Sequence, residues 1–415
     1  MHYHLVGIGG ISMSGLKKLL EEMGHKVTGS DLKFGGHKKE NITSDIDVVV
    51  RTSAVNPGSP GWVEVEEAER LGIEIKKRSE VIGGITKDKK LITISGMHGK
   101  TTITSLIGLT LIGAGLDPTV LVGEKLREFD NDVVHIGKSD YFVLEACEYD
   151  RSFLDFYPDI AIINNIDLEH LDTYPGGVEE IVEAFSKFTA NIKSNGTLIL
   201  YGKDENLRKV ADVAREDIKI IYYDESGVLG YDIKLPGAHN KINAAAALAL
   251  SKSIEIDDGV IRNVLKTFNG AKRRLEYYGE AGGALVYDDY GHHPTEIKAT
   301  IAALREKHPE KKLAVVFWPH QYKRIKPLLH QFAQAFSEAD FVIIKPIFFV
   351  PGRDEKLEVE SEDICAEIDK ETVDAEVLTN DKEILEKLRT LSKDWVILTL
   401  GIPPVYKIAE ELTGA

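Results

Sequence analysis

The chain has few cysteines and no long apolar run. Its two cysteines, Cys147 and Cys365, are far apart in a sequence of 415 residues. We therefore expect no disulfide framework, which fits a reducing compartment. No stretch approaches ~18 uninterrupted apolar residues, and the N-terminus has no basic segment followed by a long apolar one. These absences predict a cytoplasmic protein with no membrane span and no signal peptide.

The chain also lacks an excess of positive charge. Its formal net charge is -16, and lysine and arginine form no block. Proteins that bind nucleic acids or membrane surfaces depend mostly on basic patches. We therefore expect neither partner, although a few local cations would be enough to bind a small anionic substrate.

Short β-branched runs alternate with helical patterns along almost the whole chain. This alternation predicts an α/β fold in which helices cover mostly parallel sheets. A chain of 415 residues is too long for one core, because single cores stop growing near ~250–300 residues. We predict three domains, or blocks, at residues 1–88, 89–268 and 269–415, with the charged turn "TKDKK" (86–90) as the first linker.

One glycine-rich turn has the features of a phosphate-binding loop. In "ITISGMHGKTTITS" (92–105), a β-branched run ends at a turn that contains Gly96 and Gly99. Glycines let backbone N–H groups approach phosphate oxygens, and Lys100 would reach the terminal phosphates while Thr101 binds Mg²⁺. The longer Gly-x4-Gly-Lys-Thr form is not met, because Ile94 occupies its first glycine position. The loop predicts an ATP site, with a structural turn as the alternative.

A second glycine-rich turn lies near the N-terminus. In "HLVGIGGISMSG" (4–15), Gly7 and Gly9 follow a predicted strand, and Asp31 ends the next strand. This resembles the dinucleotide-binding fingerprint, although Ser12 occupies the third glycine position. Alone, the turn indicates a nucleotide diphosphate site, or a tight turn without a ligand.

Acids and histidines follow the predicted strands of the second block. Glu145 ends "YFVLEA", and His170 lies in "DLEHLD" after the next strand. Acids at strand ends beside a phosphate loop suit Mg²⁺, which prefers oxygen ligands, whereas histidine is a less usual ligand. Glu148, Asp150 and Asp167 could equally be solvated acids.

Two motifs in the third block carry similar chemistry. In "VYDDYGHHPTEI", acids follow a strand and histidines precede a helix whose first turn would contain Pro294. Such residues form a site at a strand end or cap the helix. In "FWPHQYKR", a small cationic group either binds a carboxylate or is ordinary surface charge: His320, Lys323 and Arg324.

Together these segments resemble the Mur ligase family. The resemblance also rests on "EACEYDRSFL", "NNIDLEHLDTY" and "GAHNKINAAAA", and the segments follow the family's order across all three blocks. It implies a Rossmann-like UDP-binding domain, a central P-loop ATPase domain, and a C-terminal Rossmann-like domain that binds the amino acid and closes on ATP. It also implies an ATP- and Mg²⁺-dependent ligase that adds L-alanine to the carboxylate of UDP-N-acetylmuramate through an acyl phosphate, in cell-wall precursor synthesis.

The resemblance also assigns roles by position. The implied catalytic residues are Lys100, Glu145, His170, Arg274, Asp289 and His292. ATP would contact Gly96, His98, Gly99, Lys100, Thr101, Thr102, His239, Asn240, Asn243 and Asp289. The UDP substrate would contact Gly7, Gly9, Gly10, Ser12, Met13, Ser14, Asp31 and Ser53. The amino acid would contact His320, Gln321 and Arg324, and Mg²⁺ would be held by Thr101, Glu145 and His170.

Three departures from the family pattern concern the substrates more than the chemistry. Gln321 replaces the first arginine of Pro-His-Arg-x-x-Arg, Pro403 and Pro404 replace a glycine-rich turn, and the segment after Asp31 is short. The alternatives are a related ligase that adds another amino acid or a peptide, as in peptide recycling or archaeal pseudomurein synthesis. More remote are an NAD-dependent oxidoreductase and a non-catalytic nucleotide-binding regulator. The oligomeric state is not predicted.

Overall fold

A computed structural model describes residues 1–350 and 354–414. The strands form three sheets of four, seven and six strands, so the predicted α/β class with mostly parallel sheets is confirmed. The chain divides into two compact units. Unit 1 comprises Met1–Asp232 and Ile242–Thr267, and unit 2 comprises Ile233–Lys241 and the chain from Phe268 onward. The three-domain boundaries at 88/89 and 268/269 stay predictions.

The first sheet of unit 1 is fully parallel, in the order β2-β1-β3-β4. Its strands are β1 (His2–Val6), β2 (Lys26–Ser30), β3 (Val48–Arg51) and β4 (Glu74–Lys77). Its helices are α1 (Ile11–Glu22), α2 (Trp62–Leu71) and α3 (Arg78–Thr86). The short segment after Asp31 forms two 3-10 turns, Leu32–Phe34 and Lys39–Asn41.

The second sheet of unit 1 has the order β11-β10-β9-β5-β8-β6-β7. Its strands are β5 (Lys90–Ser95), β6 (Thr119–Leu126), β7 (Asp132–His135), β8 (Tyr141–Glu145), β9 (Ile160–Ile163), β10 (Thr197–Tyr201) and β11 (Lys219–Tyr223). The helices are α4 (Lys100–Gly113), α5 (Val178–Ala190), α6 (Glu205–Asp212), α7 (Ala238–Ser253) and α8 (Asp258–Thr267). Only β7 is antiparallel to its neighbour, and this edge hairpin was not predicted.

Helix α4 contains isoleucines and leucines as well as hydroxyl residues, and it is buried along most of its length. Each buried leucine or isoleucine stabilises the fold by about 1.5–3 kcal/mol. Strand β5, which precedes α4, lies between β8 and β9 in the middle of the sheet. The carboxyl ends of these three strands therefore place their following turns side by side.

The sheet of unit 2 has the order β12-β13-β17-β14-β15-β16. Its strands are β12 (Glu276–Ala281), β13 (Ala284–Asp289), β14 (Lys312–Phe317), β15 (Phe341–Ile344), β16 (Asp374–Val377) and β17 (Trp395–Leu400). Its helices are α9 (Pro294–Lys307), α10 (Tyr322–Ile325), α11 (Leu329–Ala335), α12 (Ser361–Glu367), α13 (Asp381–Leu388) and α14 (Tyr406–Thr413). Strand β12, which was not predicted, is antiparallel to β13. Among the described residues, no helix is both long and apolar enough to cross a bilayer.

Candidate active site

The turn between β5 and α4 has the backbone of a phosphate-binding loop. Gly96 and Gly99 have φ values of 121° and 85°, a region that L side chains rarely adopt. A Cβ atom on Gly99 would lie 2.7 Å from Asn164 Nδ2 and would also collide with Asn243. The turn therefore requires glycine, and it brings the N–H groups at the start of α4 to the carboxyl edge of the sheet. A helix start of this kind attracts phosphate.

Two asparagines that lie outside the loop in the sequence form a hydrogen-bonded group next to it. Asn164, which follows β9, is buried and donates its side-chain amide to the backbone oxygen of His98 at 3.0 Å. The same amide lies 3.3 Å from Asn243 Oδ1 on α7, and the Tyr223 hydroxyl donates to Asn164 Oδ1 at 2.5 Å. Asn243, a predicted ATP contact, is thus joined to the loop. Asn164 was not predicted.

Lys100 takes part in a buried ion pair at the loop. Its ammonium donates to the backbone oxygens of Gly96 at 2.6 Å and Met97 at 3.1 Å. It also donates to both carboxylate oxygens of Glu148, at 3.0 and 3.1 Å. Burial alone lowers the pKa of Lys100, but the charge and hydrogen bond of Glu148, together with the charges of Cys147 and Glu169, outweigh it and raise the pKa above its ordinary value. The lysine therefore stays charged beside the place expected for the terminal phosphates.

Glu148 also contacts His170, so a single carboxylate links two predicted site residues. His170 Nε2 lies 3.1 Å from Glu148 Oε1. Burial alone raises the pKa of the Glu148 carboxyl, but Lys100 and then His170 lower it below its ordinary value. The expectation that Glu148 could be a solvated acid is therefore wrong, because its side chain is fully buried in the structure.

The predicted magnesium ligands follow β5, β8 and β9. Thr101 is buried in the first turn of α4, and Glu145 is the last residue of β8. The Glu145 carboxylate accepts a hydrogen bond from the backbone N–H of Gly123 at 2.6 Å. A hydroxyl and a carboxylate are oxygen ligands that Mg²⁺ prefers. This donor chemistry fits the ion, with His170 as the less usual member, and the ligation itself stays a prediction.

Arg78, the first residue of α3, is a further cation near this site that was not predicted. Burial lowers the pKa of its guanidinium, while the nearby Cys147 and Glu145 act in the opposite direction. Arg78 belongs to the first block and Glu145 to the second, so their proximity could not be predicted from the sequence. The chain at and after the end of β8 is thus close to two cationic side chains, Arg78 and Lys100.

The first glycine-rich turn is built around the end of β2. The backbone N–H groups of Gly7 and Ile8 donate to Ser30 O at 2.8 and 3.0 Å. Gly7 has a φ of 87°, and the backbone N–H of Gly9 donates to Asp31 Oδ2 at 3.1 Å. The Asp31 carboxylate therefore holds the shape of the turn. Its predicted contact with the UDP substrate stays a prediction.

The other predicted UDP contacts differ in their surroundings. Gly10 is the N-cap of α1, and Ser12 and Ser14 are half-buried on the first turns of that helix. Met13 is fully buried in the core, so its side chain cannot contact a ligand and only its backbone remains available. Ser53 is half-buried in the turn after β3.

In unit 2, the predicted catalytic residues gather at the carboxyl end of β13. Asp289 is buried and accepts hydrogen bonds from the backbone N–H groups of Gly291 and Leu275, both at 2.7 Å. Burial raises the pKa of Asp289, while Arg274 lowers it. His292 Nδ1 lies 3.3 Å from a Glu296 carboxylate oxygen.

The helix after this turn begins as predicted. Pro294 is the first residue of α9, and the neighbouring His293 is its N-cap, accepting a hydrogen bond from the Thr295 N–H at 3.4 Å. His239 is also in unit 2: burial lowers the pKa of its imidazole, and the nearby Asp289 acts in the opposite direction. Asn240 donates its side-chain amide to Pro236 O at 2.8 Å. The predicted roles of His239 and Asn240 in binding ATP stay predictions.

The proline-containing turn after β17 is held by an arginine that was not predicted. Arg273 donates to the backbone oxygens of Gly401 at 2.6 Å and Ile402 at 3.1 Å. Its Nε donates to the fully buried Asp288 carboxylate at 3.0 Å. Burial raises the pKa of Asp288 to about 6, against the opposing effect of Arg273. Side-chain donors thus fix a turn in which prolines have removed backbone donors.

The predicted amino-acid contacts lie directly after β14. Arg324 donates to the His320 ring at Nδ1 and to the His320 backbone oxygen, both at 3.2 Å. Gln321 has a φ of 71°, and its backbone N–H donates to Phe348 O at 3.0 Å. The structure therefore brings His320 and Arg324 together, with Gln321 in a strained turn between them.

Comparison with known proteins finds matches over nearly the whole chain. The family model "Mur ligase family, catalytic domain" matches residues 2–90, "Mur ligase middle domain" matches 94–230, and "Mur ligase, glutamate ligase domain" matches 273–402. The UDP-N-acetylmuramate–L-alanine ligase of Clostridium kluyveri is 37% identical over 449 residues, covering 98% of this chain and 96% of that protein.

Two solved structures share the fold over the full length. The UDP-N-acetylmuramate-alanine ligase of Thermotoga maritima superposes with a TM-score of 0.81 at 23% identity, covering 100% of this chain and 98% of its own. A murein peptide ligase from Psychrobacter arcticus superposes with a TM-score of 0.73 at 23% identity, with coverage of 100% and 98%.

The fold and the β5–α4 loop define an α/β protein with a P-loop nucleotide site. The chain belongs to the Mur ligase family. It is therefore an ATP-dependent ligase that forms amide bonds, as the resemblance implies. This membership leaves the alternative of an NAD-dependent oxidoreductase without support.

Proposed function

We propose that the chain joins L-alanine to the carboxylate of UDP-N-acetylmuramate in the cytoplasm, as a step of peptidoglycan precursor synthesis. Relatives of that name match nearly the full chain at 37% identity. The structural observation that carries the proposal is Lys100, held charged at the P-loop by the buried Glu148. A charged lysine at this place stabilises a phosphoryl group in transfer.

The reaction has two steps. A carboxylate oxygen of the UDP substrate attacks the γ-phosphorus of ATP, which gives an acyl phosphate and releases ADP. The amine of L-alanine then attacks the acyl carbon, loses a proton, and the tetrahedral intermediate expels phosphate to leave an amide. Lys100 would donate to the oxygens of the transferring phosphoryl group, in place of some of its present acceptors.

We assign the magnesium site to Thr101, Glu145 and His170. When bound, Mg²⁺ would neutralise phosphate charge in the first step. Glu145 and the Thr101 hydroxyl supply the oxygen ligands that the ion prefers. Glu148 keeps Lys100 and His170 beside them.

We assign the pyrophosphate of the UDP substrate to the first glycine-rich turn. The turn lies between β1 and α1 at the carboxyl edge of a parallel sheet, where such sheets bind ligands. Its shape depends on Gly7 and on the Asp31 carboxylate that accepts from Gly9. The start of α1 adds a positive dipole end.

We assign the amino acid's carboxylate to His320, Gln321 and Arg324. Gln321 cannot supply the bidentate charge of an arginine. This difference favours a second candidate, a ligase of the same family that adds a different amino acid or a short peptide to the same type of UDP substrate.

The decisive experiment measures phosphate release with ATP, Mg²⁺ and UDP-N-acetylmuramate against a panel of amino acids and peptides. We expect release that depends on the UDP substrate and is fastest with L-alanine. Faster release with a peptide or another amino acid would favour the second candidate. Absence of release with every acceptor would refute the proposal, and Lys100→Ala provides the inactive control.

A further inference from the structure

Glu148 contacts two residues of the proposed nucleotide site, although the sequence motifs give it no role and the proposed reaction gives it no direct contact with a substrate. Its side chain is fully buried, and its two oxygens lie 3.0 and 3.1 Å from the Lys100 ammonium. One of these oxygens is also 3.1 Å from His170 Nε2. The Tyr174 hydroxyl donates to the backbone oxygen of Glu148 at 2.5 Å, which fixes the main chain at this residue.

The turns that bring Glu148 and His170 together are conformationally strained. His170 has a φ of 55°, and Asp150 and Arg151, which follow Glu148, have φ values of 53° and 54°. Positive φ costs of order 1 kcal/mol or more for residues with side chains, and it persists where the surrounding structure enforces it. The surrounding structure therefore maintains the contact between the Glu148 carboxylate and the His170 imidazole, although the backbone near both residues adopts conformations that residues with side chains disfavour.

The contact has a chemical consequence for His170. An imidazole bonded to a carboxylate through Nε2 carries its proton on that nitrogen, which leaves the lone pair of Nδ1 for a metal ion. Glu148 has the same kind of effect on Lys100, whose three donors are shared among Gly96 O, Met97 O and the carboxylate. The carboxylate thus contacts two groups that are expected to face the nucleotide.

We propose that Glu148 is a positioning residue that presents His170 Nδ1 and the Lys100 ammonium to the magnesium nucleotide, without binding the metal itself. The proposal rests on the proposed function, because it presumes that Mg-ATP binds at this loop. A carboxylate that only stabilised the fold would leave nucleotide affinity unchanged when its charge is removed. A positioning carboxylate would not.

The test compares Glu148→Gln with a matched control, Asp159→Asn. Asp159 is also an acid paired with a lysine, with 2.9 Å between its Oδ2 and Lys193 Nζ, but it precedes β9 and lies at the opposite edge of the same sheet. Equilibrium dissociation constants are measured by calorimetry for ATP with and without Mg²⁺ and for UDP-N-acetylmuramate, and melting temperatures are recorded. Removing a partner of a metal-binding histidine typically weakens metal affinity roughly 10–100-fold. We expect that loss for Mg-ATP in Glu148→Gln alone, with an unchanged constant for the UDP substrate.

The outcomes separate this inference from the proposed function. A wild-type protein that binds no Mg-ATP would overturn both. Normal Mg-ATP binding by a folded Glu148→Gln variant would overturn the inference alone, as would an equal loss of affinity for both substrates.

A measurement on the wild-type protein does not depend on the variant folding. ¹⁵N NMR of labelled histidines, with the His170 signals assigned by their loss in His170→Gln, reports which ring nitrogen carries the proton. We expect the proton on Nε2 in the nucleotide-free protein. A proton on Nδ1 alone would overturn the inference.

Discussion

Removing the charge of Glu64 should make the first sheet less stable, by an amount that depends on pH. The Glu64 side chain is fully buried beneath the short segment that follows β2. Four groups hydrogen-bond to its carboxylate at 2.5 to 3.3 Å: the Ser30 hydroxyl, the Asn41 amide, the Lys38 backbone N–H and His4 Nε2. Burial alone raises the pKa of Glu64, but these hydrogen bonds outweigh it and lower the pKa from 4.5 to about 2.

The size and sign of the effect follow from this shift. One pKa unit corresponds to about 1.4 kcal/mol, so the ionised carboxylate contributes about 3 kcal/mol to folding. Because the folded pKa lies below the unfolded value, this contribution is fully present above about pH 4.5 and is lost as the pH falls towards 2. About 1 kcal/mol of the loss should occur over the first pH unit below 4.5.

Hydrogen exchange measures the stability of the first sheet locally. Native-state exchange followed by mass spectrometry gives the free energy of opening for the β1 amides in the wild type and in Glu64→Gln. We expect Glu64→Gln to open more easily at neutral pH, and the difference to shrink as the pH falls below about 4.5. Asp217→Asn is the control: that carboxylate also has a pKa of about 2, but it is exposed and water screens its pair with Arg215. A difference for Glu64→Gln that stays constant with pH would refute the reasoning.

Three further predictions concern the site. Lys100→Ala should abolish phosphate release and leave calorimetric binding of the UDP substrate intact; substantial residual ligation would contradict the role of Lys100. Gly99→Ala should weaken ATP binding and lower the melting temperature, because a Cβ atom at this position would collide with Asn164 and the φ is 85°. Unchanged ATP binding would contradict the claim that the turn requires glycine. Gln321→Arg should lower the KM for L-alanine roughly 10–100-fold, because a charge-assisted hydrogen bond contributes about 1.5–3 kcal/mol. Steady-state kinetics of the wild type and of Gln321→Arg measures the KM. An unchanged KM would show that residue 321 does not contact the amino acid.

Parallel strands and the P-loop could be predicted because their signals are local. A buried parallel strand is a run of β-branched residues, and the loop combines glycines, a lysine and a helix start within a few positions. The antiparallel edges were missed for a related reason. Strand β7 is only four residues long, and β12 is polar and contains an irregularity between Tyr277 and Gly279. Neither forms the apolar run on which the prediction relied.

Glu148 and Arg273 could not be found in this way, because their roles depend on what surrounds them. In the sequence, Glu148 stands in "CEYD" among polar residues that are typical of a surface turn. Its burial depends on the Tyr174 hydroxyl and on His170, which are more than 20 residues away. Arg273 likewise pairs with a turn at residues 401–402. Long-range partners of this kind leave no periodic or spacing signal in one sequence.

Helix α3 connects the first sheet of unit 1 to the turn that follows Glu148 beside the second sheet. It follows the last strand of the first sheet and packs against the turn at 149–155 that follows Glu148. Gly83 fits so closely that a Cβ would collide with the Asp155 backbone oxygen, and Lys77 Nζ lies 3.0 Å from Asp150 Oδ2. Arg78 begins the same helix, near Glu145. If the first turn carries the UDP substrate, as proposed, a helix packed in this way would help to position that substrate relative to the P-loop, and such positioning lowers the barrier between two bound reactants.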